Sequence, residues 1–299
     1  MKTPILSFIT VNYNGIEDTI ELIESIFNVV HSILYEIIVI DNASRNNDAE
    51  TVQKLFGNRV ITIRSNKNLG FAGGNNLGIR KAQGKYLFFI NNDTIIREDH
   101  FIEFLQVFDL SDRIGGISPK ICFAYPPCHI QYAGFTDLSP ITLRNQCIGY
   151  DEIDHGQHDT PTPISFLHGA AMIVRRDIID KVGMMSDIFF LYYEEMDWCA
   201  QIRRAGYELR YEPCQIIYHK ESRSTGKTSK LQIFYLYRNR LLYAWRNLQG
   251  SNRYLSIAYL LSLAAIKNSA HFCIKGQLSL AIIIYKAIFA FIQLPHKMN

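Results

Sequence analysis

Apolar residues fall in short runs along the first hundred positions of this chain, and each run ends in a polar cluster. Ile5–Val11 runs into Asn12-Tyr13-Asn14-Gly15, Glu36–Ile40 into Asp41-Asn42-Ala43-Ser44, and Tyr86–Ile90 into Asn91-Asn92-Asp93-Thr94. β-Branched and aromatic runs of this length read as buried strands. Between the first two, Glu17–Val30 places Ile20, Ile23, Ile26 and Phe27 on one helical face. Val60–Ile63 reads as a third strand, and the glycine- and asparagine-rich stretch Asn68–Gly78 as a loop leading into a helix that holds Ile79–Ala82. Strand and helix in alternation predict a parallel sheet with right-handed crossovers, and put every polar cluster on the C-terminal edge where open α/β sheets hold ligands. Further along, His168–Val174 reads as another strand with a polar start. A helix opening at Glu194, Glu195 and Asp197 buries Met196, Cys199, Ala200 and Ile202, with Gly206 as its C-cap.

These clusters suggest chemistry. One carboxylate, Asp93, flanked by amides and a hydroxyl suits a hard divalent cation, Mg²⁺ or Mn²⁺, that takes its remaining ligands from water and a substrate diphosphate. The glycines of Asn68–Gly78 permit close backbone approach and the asparagines supply amide groups, which makes a nucleotide-diphosphate cradle. No G-x-G-x-x-G follows the first strand and no G-x-x-x-x-G-K-[ST] occurs, so dehydrogenase and P-loop NTPase readings lose their main support. His155 and His158 lie in an acidic loop, and no His/Cys spacing resembles a zinc site.

Thr10-Val11-Asn12-Tyr13-Asn14, Asp41–Ser44, Asn68–Asn76 and Asn91–Thr94, followed by Phe190–Cys199, Arg203–Tyr207 and His219, resemble in order and spacing glycosyltransferase family 2, in its rhamnosyltransferase-like branch. The resemblance covers about residues 4–245. It implies a GT-A fold, a mixed and mainly parallel α/β sheet, and inverting, metal-dependent transfer of a sugar from a nucleotide diphosphate. It implies that Thr10, Asn12, Asn14, Asp41, Asn42 and Ser44 hold base and ribose, and that Asn68, Gly70, Gly73, Asn75 and Asn92 line the donor. Asp93 takes the place of the last aspartate of the family's Asp-x-Asp motif, and His219 that of a second metal ligand. Asn91 stands where many members have aspartate. Glu195 stands at the position of the catalytic aspartate, where a carboxylate would take the acceptor's proton; Asp197 competes for that role. The bland alternative is an acidic first turn favoured by the helix dipole. His168, Gly169 and Trp198 fall on the acceptor side.

Composition narrows the setting. Six cysteines without a CxxC pair predict reduced thiols and a cytosolic catalytic domain, and the short apolar run at the N-terminus, interrupted by Asn12 and Asn14, does not read as a signal peptide. Residues 220–299 carry twelve Lys/Arg and one acid, Glu221, whereas residues 1–219 carry nineteen Lys/Arg and twenty-seven Asp/Glu. We therefore expect a catalytic domain over 1–229, with a nucleotide-binding half to about 95 and an acceptor half beyond it, and a basic, aromatic, helical region over 230–299. A basic tail interleaved with Leu, Ile, Tyr and Phe suits a membrane surface better than nucleic acid. Leu255–Ile266 and Leu278–Leu294 each fall short of a spanning helix, which predicts peripheral docking at the inner face of the membrane. Arg238, Arg240, Arg246, Arg253, Lys267 and Lys275 would then meet lipid phosphates. The expected reaction is transfer of a sugar, rhamnose from dTDP-rhamnose, to a saccharide or lipid-linked acceptor in surface polysaccharide assembly. The alternatives are a UDP-hexose donor, or a weakly catalytic nucleotide- or carbohydrate-binding protein of the same fold.

Overall fold

The computed structural model describes residues 3–126, 128–221 and 229–294. In chain order its elements are β1 (Leu6–Asn12), α1 (Ile16–Val29), β2 (Tyr35–Asp41), α2 (Asp48–Phe56), β3 (Ile61–Arg64), α3 (Gly70–Lys81), β4 (Tyr86–Ile90) and β5 (Thr94–Ile95). There follow α4 (Phe101–Gln106), β6 (Ile114–Phe123), β7 (Ile130–Tyr132), β8 (Thr162–Ile164), β9 (Ala171–Arg175), α5 (Arg176–Val182), α6 (Glu194–Arg204) and β10 (Glu208–His219). The C-terminal region adds α7 (Lys230–Asn247), α8 (Gly250–Tyr259), α9 (Ala265–Ile274) and α10 (Leu278–Gln293).

One sheet runs β3-β2-β1-β4-β9-β6-β10-β5, with β7 on β6 and β8 on β10. The β1, β2, β3 and β4 pairings are parallel, as the strand–helix alternation requires. Beyond β4 the sheet turns mixed, because β9 runs antiparallel to both β4 and β6. This reversal brings the start of β9 beside the end of β4, and Asn91 N–H donates to the Ala170 carbonyl at 2.9 Å.

The glycine-rich stretch is itself helix α3, which corrects the expected loop. Glycine is a poor helix former, but tertiary packing overrides propensity here. A Cβ on Gly78 would lie 2.4 Å from Ile9 Cγ2, and one on Gly74 would lie 2.9 Å from Val11 Cγ1. Only bare backbone lets α3 settle this closely on β1.

The C-terminal region is not a separate body over its first helix. Tyr237, Leu241, Leu242, Tyr243 and Ala244 of α7 join the same hydrophobic cluster as the sheet. Beyond α7, a π-helical turn at Leu260–Ala264 joins α8 to α9, so that Gly250–Ile274 forms one helix of 25 residues, within which an 18-residue window has mean hydropathy 1.3. The twelve-residue apolar run seen in the sequence is thus part of a helix long and apolar enough to cross a membrane, by length and composition alone. The lipid-phosphate role expected for Arg238 and Arg246 is also corrected, while Arg240 and Arg253 each engage one backbone carbonyl. Arg238 donates to the Ile188 and Phe189 carbonyls, Arg240 to the Thr142 carbonyl, Arg246 to Asp197 and Arg253 to the Leu248 carbonyl.

Candidate active site

At the ends of β1 and β2 the polar residues read from the sequence are brought together, and they bond mainly to one another. Asn12, fully buried, donates from Nδ2 to Ser44 Oγ at 3.2 Å and Asp48 Oδ2 at 2.8 Å; its Oδ1 accepts from Gly15 N–H and the Thr19 hydroxyl. Asp41 accepts from the backbone N–H groups of Ser44 and Ala49. Asn42 spans to Asn68 Oδ1, the Gly70 carbonyl and Leu69 N–H. Asn14 sits at φ 56°, accepts from Arg45 N–H, and donates its own N–H to Ser44 Oγ. Asn92 reaches back to the Gly15 carbonyl and the Thr19 hydroxyl. Such a network fixes the strand-end loops before any ligand arrives. Asn12, Asp41 and Asn42 therefore brace the strand-end loops, their side-chain groups spent on neighbouring residues rather than left free.

Three expected donor residues take other places. Thr10 shares the α1 side of β1 with Asn12 and is 1% exposed, its hydroxyl unpartnered among the described residues. It lies inside the sheet–helix layer. Asn75 is buried within α3 and donates to the Phe71 carbonyl. Gly70, at φ 71°, makes room for the Phe190 carbonyl, which stands 2.0 Å from where a Cβ would be and accepts from Phe71 N–H at 2.7 Å. Gly73 likewise clears Leu69, with a hypothetical Cβ only 2.7 Å from Leu69 Cβ. The glycine block thus docks the segment before α6.

Asp93 and His219, the two residues expected to hold a metal, are both buried and are brought together. β10 pairs with β5 so that His219 faces Thr94, and His219 Nε2 comes 3.1 Å from Asp93 Oδ1 and 3.4 Å from Asn91 Nδ2. On the ring's other side, Nδ1 donates to Gln131 Oε1 at 2.7 Å. With the proton held on Nδ1, the Nε2 lone pair faces the Asp93 carboxylate, an arrangement suited to a shared cation. Cis ligands at the ~2.0–2.1 Å typical of Mg²⁺ are about 3 Å apart, which the Nε2–Oδ1 spacing matches. Among the described residues no cluster of three His, Cys, Asp or Glu forms. The donor set fits a hard cation that keeps water and takes substrate oxygens for its other ligands. Gln131 escaped the sequence reading, since a lone glutamine 88 residues from its partner carries no motif.

Across the β4–β9 junction lies α6. Its first turn is presented by Phe190, Tyr192 and Tyr193, all at positive φ between 64° and 73°, a conformation that costs non-glycine residues energy and persists only when neighbours impose it. Here Asn239 supplies that hold. Fully buried on α7, it places Nδ2 within 2.8 Å of the Phe189, Leu191 and Tyr192 carbonyls. Arg238 holds two more contacts on the same stretch. The polar triplet Arg238-Asn239-Arg240 between the apolar runs 233–237 and 241–245 was the signal available in the sequence.

The strained turn leads into two carboxyls, Glu194 buried and Glu195 half-buried. Burial pushes Glu195 up to about 7, opposed by backbone N–H groups at the helix start. Burial and then Glu195 itself raise Glu194 well above the ordinary value, and Glu194 Oε2 has no partner among the described residues. Glu195 rests on Gly169, 3.7 Å from where a Cβ would stand. Next to it, His168 Nδ1 accepts from Ala170 N–H at 3.1 Å, which leaves the proton on Nε2; its ring stacks on Phe135, and burial, then His219, hold it down to about 3. The imidazole is neutral with one donor to offer.

Two expected residues are corrected. Asp197, fully buried, accepts from Arg246, Asn247 and Gln201, so its carboxylate clamps α6 to α7 and is not placed to act as a base. Trp198 is also fully buried, with Nε1 on the Gly183 carbonyl and its ring edge-on to Phe89, a core side chain rather than an acceptor contact.

Comparison with known proteins agrees with this geometry. Residues 7–183 match the description of glycosyl transferase family 2. The Haloferax volcanii low-salt glycan biosynthesis hexosyltransferase Agl10 is 28% identical over 79% of this chain and 74% of its own length. An N-acetylglucosaminyl-diphospho-decaprenol L-rhamnosyltransferase of Mycobacterium tuberculosis is 31% identical over 65 residues, 22% of this chain and 21% of that relative. Among solved structures, GalNAc-T7 with UDP, GalNAc and Mn²⁺ superposes with a TM-score of 0.61 at 14% identity over 82% of this chain, which spans 51% of that one. The fold is GT-A, and the chain belongs to glycosyltransferase family 2.

Proposed function

We propose that this chain transfers a hexosyl group from a nucleoside diphosphate sugar, with inversion, to a saccharide or lipid-linked acceptor. The observation that carries this reading is the junction of β4 and β9: Asn91 N–H on the Ala170 carbonyl sets the Asp93–His219 pair beside Gly169, and the Glu195 carboxyl rests on Gly169. A leaving-group site and a proton acceptor thus meet at one point of the sheet.

Asp93 and His219 would hold Mg²⁺ or Mn²⁺, which when bound neutralises charge on the departing diphosphate. Gln131 keeps the His219 lone pair turned toward it. Glu195, with its carboxyl near 7, takes the acceptor hydroxyl proton as the new glycosidic bond forms. His168 Nε2–H offers a hydrogen bond to a sugar oxygen on the same side.

Two donors remain in view. dTDP-rhamnose is supported by the short stretch shared with the mycobacterial rhamnosyltransferase, and a UDP-hexose by the longer likeness to a hexosyltransferase. We also propose peripheral contact at the cytosolic face of a membrane through the outer face of α10, where Leu278, Ile282, Tyr285, Phe289 and Ile292 recur at helical spacing and are each 48–61% exposed. Incubation of the enzyme and Mn²⁺ with dTDP-rhamnose, UDP-glucose, UDP-galactose and UDP-GlcNAc, read as nucleotide release, tests the reading. Release from one donor and a product of inverted configuration is expected. Release from none, or retention, would overturn it.

A further inference from the structure

Between α7, α9, α10 and the strained turn before α6 lies a pocket of about 270 Å³ that the transfer reaction does not use. Ile233, Leu236, Phe272 and Ile284 make it apolar, and Tyr193 and Arg240 close one end. That end is chemically distinct. Tyr193 lies within electrostatic reach of Arg240, Glu195 and Arg144. Arg240 spends Nη2 on the Thr142 carbonyl, while its buried Nε has no partner among the described residues. The strongest electrostatic neighbours of Arg240 are Tyr193, Arg144, Tyr259 and Tyr237, with no carboxylate among them, and no Asp or Glu occurs anywhere in residues 230–294. The half-buried Arg240 guanidinium, with exposed Arg144 nearby and no carboxylate among its strongest neighbours, stands beside a half-enclosed apolar pocket and suits an amphiphilic anion, since a cation drawn out of water favours a counter-charge. The volume is just below that of pockets that enclose whole small ligands, which suits one segment of a chain entering from outside. The exposed apolar row of α10 lies on the same helix as Ile284, which turns inward to line the pocket.

We propose that this pocket takes the first units of the prenyl chain of a lipid-diphosphate acceptor, with Arg240 and Arg144 on its diphosphate. The proposal rests on the lipid-linked acceptor reading above and deepens it. Tyr193 stands two residues before Glu195, so an acceptor held here would carry its sugar toward the base, and the lipid would act as a positioning handle.

The test is calorimetric titration of the full chain in EDTA with farnesyl diphosphate, farnesol and inorganic diphosphate, and in parallel with UDP and dTDP in Mn²⁺. Wild type is expected to bind farnesyl diphosphate at least tenfold more tightly than either fragment. Ile284→Trp, which fills the pocket, and Leu236→Trp, at its partly exposed rim and easily accommodated, should each weaken farnesyl diphosphate at least tenfold and leave nucleotide binding unchanged. Arg240→Gln should bring farnesyl diphosphate down toward farnesol. Equal binding of farnesyl and inorganic diphosphate by wild type, or undiminished farnesyl diphosphate binding by Leu236→Trp, would overturn the proposal. Loss of nucleotide binding by wild type would instead contradict the donor reading, and leaves the prenyl comparison standing.

Discussion

The two halves of the cleft treat polar groups in opposite ways. At the ends of β1 and β2, Asn12, Asp41, Asn42 and Ser44 are buried and hydrogen-bonded to one another or to neighbours in the strand-end loops, so little changes when a ligand arrives. At the start of α6, Glu194 is buried and Glu195 half-buried with their charged forms disfavoured, after a turn at positive φ that α7 must hold in place. The first half is scaffold and the second stores cost. Desolvated carboxyls and strained backbone are disfavoured unless something needs them, so the asymmetry locates the reactive side of the cleft independently of any motif.

The sharpest way to break this comparison is at its seam. Asp93→Asn removes the only carboxylate of the metal pair, and transfer should fall by roughly 10³-fold or more while the melting temperature stays near wild type. Near-native turnover with unchanged Mn²⁺ dependence would refute the metal assignment. Next in size, Asp197→Ala should lose about 3 kcal/mol or more of stability in denaturant unfolding, because Arg246 would be left with a partly buried, unpaired charge. A variant that unfolds like wild type yet loses transfer would return Asp197 to the chemistry.

Asn239→Ala should loosen the turn before α6 without touching substrate. We expect kcat to fall about 10–100-fold with donor KM unchanged, as for a displaced catalytic group, and the pH midpoint of kcat to move toward the ordinary carboxylate range as water reaches Glu195. A purely structural asparagine would lower stability and leave that midpoint in place. The smallest effect concerns Glu194. Its folded value is raised, so the folded protein binds more protons than the unfolded chain above the ordinary carboxylate pKa, and stability falls as pH rises through that window. Glu194→Gln should therefore stabilise the protein at pH 8 by more than at pH 4, by about 1 kcal/mol. Equal effects at both values would mean that Glu194 is not desolvated.

Much of the scaffold half was legible in the sequence and less of the reactive half, for physical reasons. Runs such as Glu36–Ile40 announce buried parallel strands, and their polar ends could be aligned on one edge. The Asn68–Gly78 stretch misled because its glycines serve contacts with Ile9 and Val11 on another strand, which local propensity does not encode. The Asp93–His219 pair was visible through its motif, whereas Gln131 and Asn239 act at long range as single residues. The arginines of α7 looked like a basic surface because side-chain direction is invisible in sequence, and Arg238 and Arg246 turn inward. The apolar run Leu255–Ile266 ends at Lys267 and Asn268 in the sequence, but the folded helix continues through both to Ile274.

The central claim is that Glu195 is the proton acceptor on the strained side of the cleft. It is tested most directly by the pH dependence of kcat for wild type and Glu195→Gln, with nucleotide binding measured alongside. With the carboxyl near 7, wild-type kcat should rise with pH through that value and stand about tenfold below its plateau at pH 6. Glu195→Gln should bind nucleotide normally, lose the rising limb, and fall by roughly 10²–10⁴-fold. A Glu195→Gln enzyme that keeps both the limb and most of its turnover would contradict the account.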